Sequence, residues 1–241
     1  MLLIPAIDVR GGRCVRLIQG ERGRERVYDV APVEAARRWV SEGAERLHVV
    51  DLDGAFEGRP KHLTVLQEVA AAVSVPIQFG GGLREQGAVA AALGAGAQFV
   101  ILGTAACRDP GFVREAASRY RGRVLLAIDA RDGKVAVSGW EEGTALSPEE
   151  LAGRFADTHL AGLIFTDIGR DGMMGGVNLE ATRRLAREAG RPVFASGGVR
   201  SLADIEALRA LEEDGVVGAI IGRALYEGKL SLGEALGRVR C

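Results

Sequence analysis

The sequence lacks the cysteine pattern of a disulfide-stabilised protein. It has three cysteines, Cys14, Cys107 and Cys241, which lie far apart and form no Cys-x-x-Cys pair. Three cysteines cannot build a full disulfide framework, and this usage is typical of proteins in a reducing compartment. We therefore expect a cytoplasmic protein. No grouping of His, Cys and Asp has the spacing of metal ligands, and no nucleophile elbow or Walker motif is present, so we expect no metal and no cofactor.

The sequence also lacks a large net charge and a recognisable membrane or signal segment. The formal net charge is −1, with acidic and basic residues interspersed, so no overall field attracts nucleic acid or an anionic membrane. The N-terminus has no basic region of a signal peptide. Residues 88–107 carry no charge over 20 positions, but they contain glycines and change from alanine-rich to β-branched. We predict a helix, a turn and a strand there, and no membrane span.

Short apolar runs alternate with longer amphipathic segments along the whole chain, without a linker or a low-complexity tract. Such nearly all-apolar strands, each followed by a helix, predict a parallel sheet covered by helices. Eight such pairs predict an α/β protein of one domain, residues 1–241, folded as a single (β/α)₈ TIM barrel. The predicted strands are 2–8, 46–51, 76–80, 98–103, 123–129, 162–167, 192–196 and 218–222.

The second half of the sequence resembles the first. VPIQFGGGLR at 75–84 matches RPVFASGGVR at 191–200, so that Gly81 corresponds to Gly197, 116 positions later. ILGTA at 101–105 matches IIGRA at 221–225. Self-similarity at about half the chain length is typical of an internal repeat. It predicts a barrel built from two homologous half-barrels, approximately 1–121 and 122–241.

Two aspartates end corresponding strands of the two halves. Asp8 closes the apolar run LLIPAID, and Asp129 closes LLAID. Residues at the carboxyl ends of barrel strands surround the active site, and the first and fifth strands lie on opposite sides of an eight-stranded barrel. We therefore predict that the two carboxylates face each other and serve in general acid–base catalysis. The alternative is that each one only caps a loop.

Glycine-rich loops follow four of the predicted strands, in pairs that correspond between the halves. Backbone N–H groups without shielding side chains, next to a helix N-terminus, bind phosphate. We predict two phosphate sites on opposite sides of the mouth, and a substrate with a phosphate at each end; the alternative is that the glycines only permit tight turns. The predicted residues are Gly81, Gly82, Arg84, Gly103 and Thr104 on one side, and Ser196, Gly197, Gly198, Gly222 and Arg223 on the other.

Other candidate site residues rest on fewer observations in the sequence. Thr166 ends the sixth strand, where its hydroxyl would assist an acid or position the substrate. Asp171 and Gly172 follow in the loop GRDGMMGG. We predict that Gly172 binds the substrate or its phosphate, and Asp171 is a rival for the role of acid. Trp140, in the loop VSGWEE, would stack on a flat heterocycle of the substrate or pack against the barrel.

Three further polar residues near the predicted strand ends are not assigned a function. We expect Arg13 and Arg16, in the loop after the first strand, to be solvated, although they could close over a phosphate. We expect His48 to be satisfied inside the barrel rather than to act as a ligand.

The motifs LLIPAIDVRGGRCVRL, VVDLDGA, FGGGLR, ILGTA, VSGWEE, FTDIGRDG and ASGGVR together resemble one enzyme family over essentially the whole chain. It is the family of phosphoribosylformimino-aminoimidazole-carboxamide ribotide isomerases of histidine biosynthesis. The resemblance implies an Amadori rearrangement of an aminoaldose to an aminoketose, a ribonucleotide substrate with two phosphates, and no cofactor or metal. It also implies that Asp8 is the general base, Asp129 the general acid and Thr166 a supporting residue, with Asp171 as the alternative acid once its loop closes.

Three other interpretations stay open at this point. The cyclase subunit of imidazole glycerol phosphate synthase shares the doubled barrel, but the PAID start and the GWEE loop favour the isomerase. A bifunctional isomerase that also acts on phosphoribosyl anthranilate uses the same chemistry. A non-catalytic phosphate-binding barrel would give no reason for two facing carboxylates. We expect a small-molecule substrate as the partner, with no nucleic acid, no membrane and a monomeric chain.

Overall fold

The computed structural model describes residues 1–17 and 25–240, with only the main chain of Arg240, and it contains a closed barrel of parallel strands. Each strand pairs with its neighbours along the chain, and the last returns to the first, with Ile220 beside Ile4. This confirms the predicted (β/α)₈ barrel. The eight strands are β1 (Leu2–Arg10), β2 (Leu47–Asp51), β3 (Ile77–Gly80), β4 (Phe99–Leu102), β5 (Val124–Arg131), β6 (Gly162–Asp167), β7 (Val193–Ser196) and β8 (Val216–Ile221).

Helices follow the strands and cover the outside of the barrel. The longer ones are Pro32–Ser41, Leu63–Ala72, Gln86–Gly94, Pro110–Arg119, Leu179–Ala189, Leu202–Arg209 and Leu232–Arg240. The shorter ones are Leu52–Glu57, Thr104–Arg108, Pro148–Gly153, Arg223–Tyr226 and the 3₁₀ turn Glu212–Asp214.

Two small antiparallel additions extend the mouth of the barrel. The strand Arg13–Leu17 turns back along β1 and pairs with Glu25–Val27, and Lys134–Val137 turns back along β5 and pairs with Glu142–Gly143. Both additions follow strands whose last inward residue is an aspartate. The hairpin segments therefore place further side chains over the two carboxylates.

Helix starts follow the local sequence. Ser147 accepts a hydrogen bond from the Glu150 N–H while the Glu150 side chain binds the Ser147 N–H, and Pro148 occupies the first helical turn. Ser201 and Asp204 form the same reciprocal capping box. Because caps satisfy N–H groups that have no partner within the helix, they fix where each helix begins.

The apolar residues form two cores, one between strands and helices and a smaller one inside the barrel. The inner core consists of side chains from alternate positions of the strands, such as Ile4, Leu125 and Phe194. Because both faces of each strand are buried, the strands read as almost continuous apolar runs, which is why the sequence located all of them. Residues 88–107 form the end of one helix, β4 and the start of another, as predicted. No helix in the described ranges is long and apolar enough to cross a membrane.

Candidate active site

The carboxyl ends of the strands surround one large cavity, of about 1320 Å³ including the space open to solvent. Side chains alternate across a strand, so each strand presents one residue to the mouth and another two positions below it. The upper ring consists of Asp8, Val50, Gly80, Gly103, Asp129, Thr166, Ser196 and Gly222. The ring below it consists of Ala6, His48, Gln78, Ile101, Ala127, Ile164, Phe194 and Ile220.

Asp8 lies in the mouth in contact with an arginine that the sequence analysis expected to be solvated. Val15 lies opposite Asp8 in the hairpin, and the next residue, Arg16, turns inward. The Arg16 guanidinium donates from Nη1 to Asp8 Oδ2 at 2.7 Å and from Nη2 to Asp171 Oδ1. Burial would lower the pKa of Arg16, but the charges of Asp171 and Asp8 outweigh it and raise that pKa. Arg16 therefore bridges two of the three carboxylates as a permanent cation.

Asp129 lies across the barrel in different surroundings. Burial in the mouth raises its pKa, and hydrogen bonds from the Trp140 indole and the Thr166 hydroxyl offset part of this effect. Thr166 reaches Asp129 because the two are register partners on β6 and β5. Trp140 has a left-handed backbone, with φ of 73°. Such a conformation is uncommon in a bulky residue and is concentrated at functional sites.

Asp171 completes the group of acids. Burial raises its pKa to about 6; Arg16 acts in the opposite direction, while the negative charges of Asp8 and Asp129 raise it further. The protonation of Asp171 therefore depends on the two other carboxylates, as is common in catalytic sites. The sequence analysis predicted both Asp129 and Asp171 as possible acids, and the structure brings both into the same mouth.

The glycines of the predicted phosphate loops are required by the packing of the loops themselves. A Cβ on Gly81 would lie 2.1 Å from the Asp51 carbonyl oxygen, and one on Gly198 would lie 2.4 Å from that of Gly176. Both residues also have positive φ. These glycines thus permit close approach of neighbouring loops, whether or not their N–H groups also bind phosphate.

The two predicted groups of phosphate-binding residues line separate parts of the mouth. Gly81, Gly82, Arg84, Gly103 and Thr104 line the main cavity. The other group, apart from Ser196, lines an adjoining cavity of about 260 Å³, and Arg16 and Gly222 line both cavities. The residues of the adjoining cavity that the sequence predicted are Gly172, Gly197, Gly198, Gly222 and Arg223.

Several of these side chains already have protein partners. The Arg84 guanidinium donates to the Ala55 carbonyl oxygen at 3.2 Å, and the Thr104 hydroxyl accepts from the Ser138 N–H at 3.0 Å. Arg223 donates to Glu227 at 2.7 Å. These three side chains are therefore held in place by hydrogen bonds within the protein, and a ligand would have to replace or share those hydrogen bonds.

One cluster has the composition of a metal site. In the described part of the chain, Asp51, Asp53 and His62 bring ligand atoms within 4.8 Å of one another. Asp51 already accepts from the N–H groups of Gly54, Lys61 and His62, and Asp53 accepts from Gly11 N–H and contacts His62 Nε2 at 2.6 Å. These hydrogen bonds cap a helix and join the loops around it. The cluster lies outside the lining of the main cavity.

The fold and the cavity define a (β/α)₈-barrel enzyme class, with carboxylates and glycine-rich loops at the mouth where such enzymes hold their active sites. A sequence profile of the histidine biosynthesis protein family matches residues 2–231, and the chain belongs to that family.

Several proteins of known name are similar to this chain over nearly its full length and theirs. A protein of Trichlorobacter lovleyi is 51% identical over 236 residues, covering 98% of this chain and 96% of the relative. Proteins of Azoarcus sp. and Syntrophus aciditrophicus are 49% and 50% identical, covering 99% and 98% of this chain and 96% and 98% of the relatives. All three are named 1-(5-phosphoribosyl)-5-((5-phosphoribosylamino)methylideneamino)imidazole-4-carboxamide isomerase. None of these three relatives is named as the cyclase subunit of imidazole glycerol phosphate synthase.

Proposed function

We propose that this chain is an isomerase of histidine biosynthesis that converts the aminoaldose of a doubly phosphorylated ribonucleotide into an aminoketose. The substrate is the phosphoribosylformimino-aminoimidazole-carboxamide ribotide. The observation that supports this most directly is that Asp8 and Asp129 end opposite strands and line one cavity between two glycine-rich loop groups. The relatives' name supports the same reaction and substrate.

The reaction begins with binding at both ends of the substrate. N–H groups of the loops after β3 and β4, and of those after β7 and β8, hold one phosphate each. Binding at two ends fixes the ribosyl amine between the carboxylates, and such fixed orientation removes much of the entropic barrier to reaction.

Two proton transfers then carry out the rearrangement. Asp129 is the general acid, because burial raises its pKa, which is the direction that favours a group that must carry and then give up a proton. It protonates the furanose oxygen, and the ring opens to an iminium ion. Asp8 is the general base and takes the proton from C2, which gives an enolamine. Tautomerisation of the enolamine, in which C1 gains a proton and the C2 hydroxyl loses one, then gives the ketone. Its pairing with the Arg16 guanidinium suits a group that acts as a carboxylate.

The remaining predicted residues support these steps. Thr166 orients Asp129 through its hydroxyl, and Asp171 holds Arg16 in place. Trp140 leaves Asp129 and stacks on the flat heterocycle of the substrate. All these residues belong to one chain, so we propose that a monomer in the cytoplasm is the working form.

The decisive experiment offers the purified protein two substrates, the formimino ribotide and phosphoribosyl anthranilate, and follows product formation. We expect turnover of the first only. Asp8→Asn should lower kcat by about 10³-fold or more with little change in KM, because a positioned acid or base contributes roughly 10²–10⁴-fold. Asp157→Asn, at an exposed ion pair with Arg114, is the matched control and should match the wild type. Wild-type turnover by Asp8→Asn would exclude Asp8 as the base.

A further inference from the structure

The second ring of the barrel contains two polar residues in the first half of the chain. His48 on β2 and Gln78 on β3 join through Gln78 Nε2 and His48 Nδ1 at 2.8 Å. The corresponding positions of the second half, 116 residues later, are Ile164 and Phe194. Since the same fold fills these positions with apolar side chains in its other half, barrel packing does not require the polar pair.

The direction of this hydrogen bond follows from what each orientation would leave unpaired. Gln78 is fully buried, and its Oε1 has no partner among the described residues. Turning the amide over would leave both N–H donors of the NH₂ group unpaired instead of one, and buried N–H groups without a partner are rarer in proteins than under-satisfied carbonyl oxygens. Because each buried unsatisfied group costs free energy, the orientation with Nε2 donating to the ring is favoured. His48 Nδ1 is then an acceptor.

The charge state of His48 agrees with this direction. Burial lowers the pKa of His48 to about 4, while Asp8 raises it and Arg16 lowers it to smaller extents. The ring is therefore neutral near pH 7. A neutral imidazole carries one proton, and with Nδ1 accepting from Gln78 this proton lies on Nε2.

The free donor of the ring lies at the cavity. His48 lines the cavity floor with Ala6, and Asp8 lies directly above Ala6 in the neighbouring strand. His48 Nε2 has no hydrogen-bond partner within residues 1–17 and 25–240, and it is not among the buried unpaired atoms of that part of the chain. A ligand oxygen close to Asp8 is therefore within the region that this N–H faces.

We propose that Gln78 is a positioning residue that holds His48 as a neutral Nε2–H donor, and that this donor binds the oxygen on C2 of the substrate ribose. This rests on the proposed function, in which Asp8 removes the proton from C2. As the C2–H bond breaks, its electron pair forms the C1=C2 bond and neutralises the iminium nitrogen, which gives the enolamine with its C2 hydroxyl. The enolamine becomes the ketone when the C2 hydroxyl loses its proton to water and C1 takes a proton from the Asp8 carboxyl. A neutral imidazole donor stabilises the negative charge that develops on the C2 oxygen as its proton leaves, without giving up its own proton.

The first test needs no substrate. The ¹⁵N chemical shifts of the three histidine rings report which nitrogen carries the proton, and His62 and His159 serve as internal references. We expect His48 to be protonated on Nε2 at pH 7. Gln78→Glu replaces the donor by a carboxylate acceptor, so the proton should move to Nδ1 and the pKa of His48 should rise. Protonation of the wild-type ring on Nδ1 would overturn the proposal, whatever the protein catalyses.

The second test is kinetic. Gln78→Met keeps the side-chain length but removes the hydrogen bond, and we expect kcat to fall about 10- to 100-fold with KM changed less than about threefold, the effect of losing one oriented hydrogen bond in the transition state. Gln78→Glu should lose at least as much and should shift the acidic limb of the pH profile of kcat upward. The groups that face the ring and enter this profile are Asp8 and Arg16.

Gln98→Met is the matched control, because the Gln98 side chain also makes one hydrogen bond to its neighbours, accepting from Ile77 N–H of β3 at 2.7 Å, but it does not contact His48. It should lower thermal stability while leaving kcat and the His48 spectrum unchanged. Wild-type kcat in Gln78→Met, or an equal loss of kcat in Gln98→Met, would overturn the positioning role. If the wild type fails to isomerise the ribotide, the proposed function fails, while the spectrum still decides the tautomer.

Discussion

The two halves of the barrel present corresponding residues to the cavity, and in each ring two of the four pairs are identical and two differ. In the upper ring Asp8 corresponds to Asp129 and Gly103 to Gly222, whereas Val50 corresponds to Thr166. In the ring below, the difference is between polar and apolar side chains, with His48 corresponding to Ile164. A substrate with similar ends needs similar loops on both sides, but its central reaction needs unlike groups. In the proposed function the shared glycine loops bind the phosphates, and the proton transfers combine the shared aspartates with the unlike side chains around them.

The two facing aspartates show the same contrast. Asp8 is paired with a guanidinium at 2.7 Å, whereas Asp129 has only the neutral donors Trp140 and Thr166 and a raised pKa. One acid beside a permanent cation and one in a neutral, buried setting are suited to opposite directions of proton transfer. Asp171 also accepts from the Arg16 guanidinium. Its substitution therefore tests whether Asp129 or Asp171 is the acid.

The largest expected effect comes from removing the acid. Asp129→Asn should lower kcat by about 10³-fold, and Asp171→Asn by about 10-fold, because Asp171 acts through Arg16 and Asp129 transfers the proton itself. Steady-state kinetics with the formimino ribotide measure both variants. A larger loss in Asp171→Asn would reverse the assignment and make Asp171 the acid. Circular dichroism of both variants checks that the fold is retained.

The next prediction compares alanine substitutions at corresponding glycines of the two halves. A Cβ at Gly81 would lie 2.1 Å from the Asp51 carbonyl oxygen, while one at Gly197 would lie 3.0 Å from that of Asp167. Both residues have positive φ, as has Gly122, where a Cβ would meet nothing within 4 Å. We expect alanine to cost about 3 kcal/mol or more at Gly81, about 2 at Gly197 and about 1 at Gly122. Urea unfolding measures all three, and equal costs would show that φ alone decides.

The last prediction concerns the pH dependence of stability. The pKa of Asp171 is about 6 in the folded protein and near its ordinary value, 3.8, in the unfolded chain. Between these values the native state holds the proton more tightly, so this group's contribution to the unfolding free energy decreases as pH rises from about 4 to about 6. Across that window the wild type should lose up to roughly 3 kcal/mol relative to Asp171→Asn.

His48 contributes in the opposite direction over the same window. Its pKa is lowered from 6.5 to about 4, so its contribution to stability is lost as pH falls through this range. The difference between the wild type and Asp171→Asn cancels the His48 contribution, which is why unfolding of both must be measured. Parallel pH curves for the two proteins would contradict the raised pKa of Asp171.

Much of the fold and part of the site follow from the sequence. The eight strands could be predicted because strands buried on both faces leave a continuous apolar signal, and Asp8 and Asp129 because each ends such a run. Thr166 and the glycine loops follow from their positions after predicted strands. The half-barrel correspondence rests on the sequence similarity itself, and an origin by duplication stays a prediction.

The partners of these residues were decided only by the tertiary structure. Arg16 reads as a surface arginine, with no signal beyond its place in the short run CVRL, yet it contacts Asp171, 155 positions away. The contact of Trp140 with Asp129 and that of Gln78 with His48 likewise depend on how hairpins and strands are aligned. Local sequence determined strands, caps and the acids at the strand ends, because periodicity and capping act over a few residues. Register and closure of the barrel decided which groups meet, and thus the pKa values of the site, because electrostatic and hydrogen-bond partners are set by distance in space.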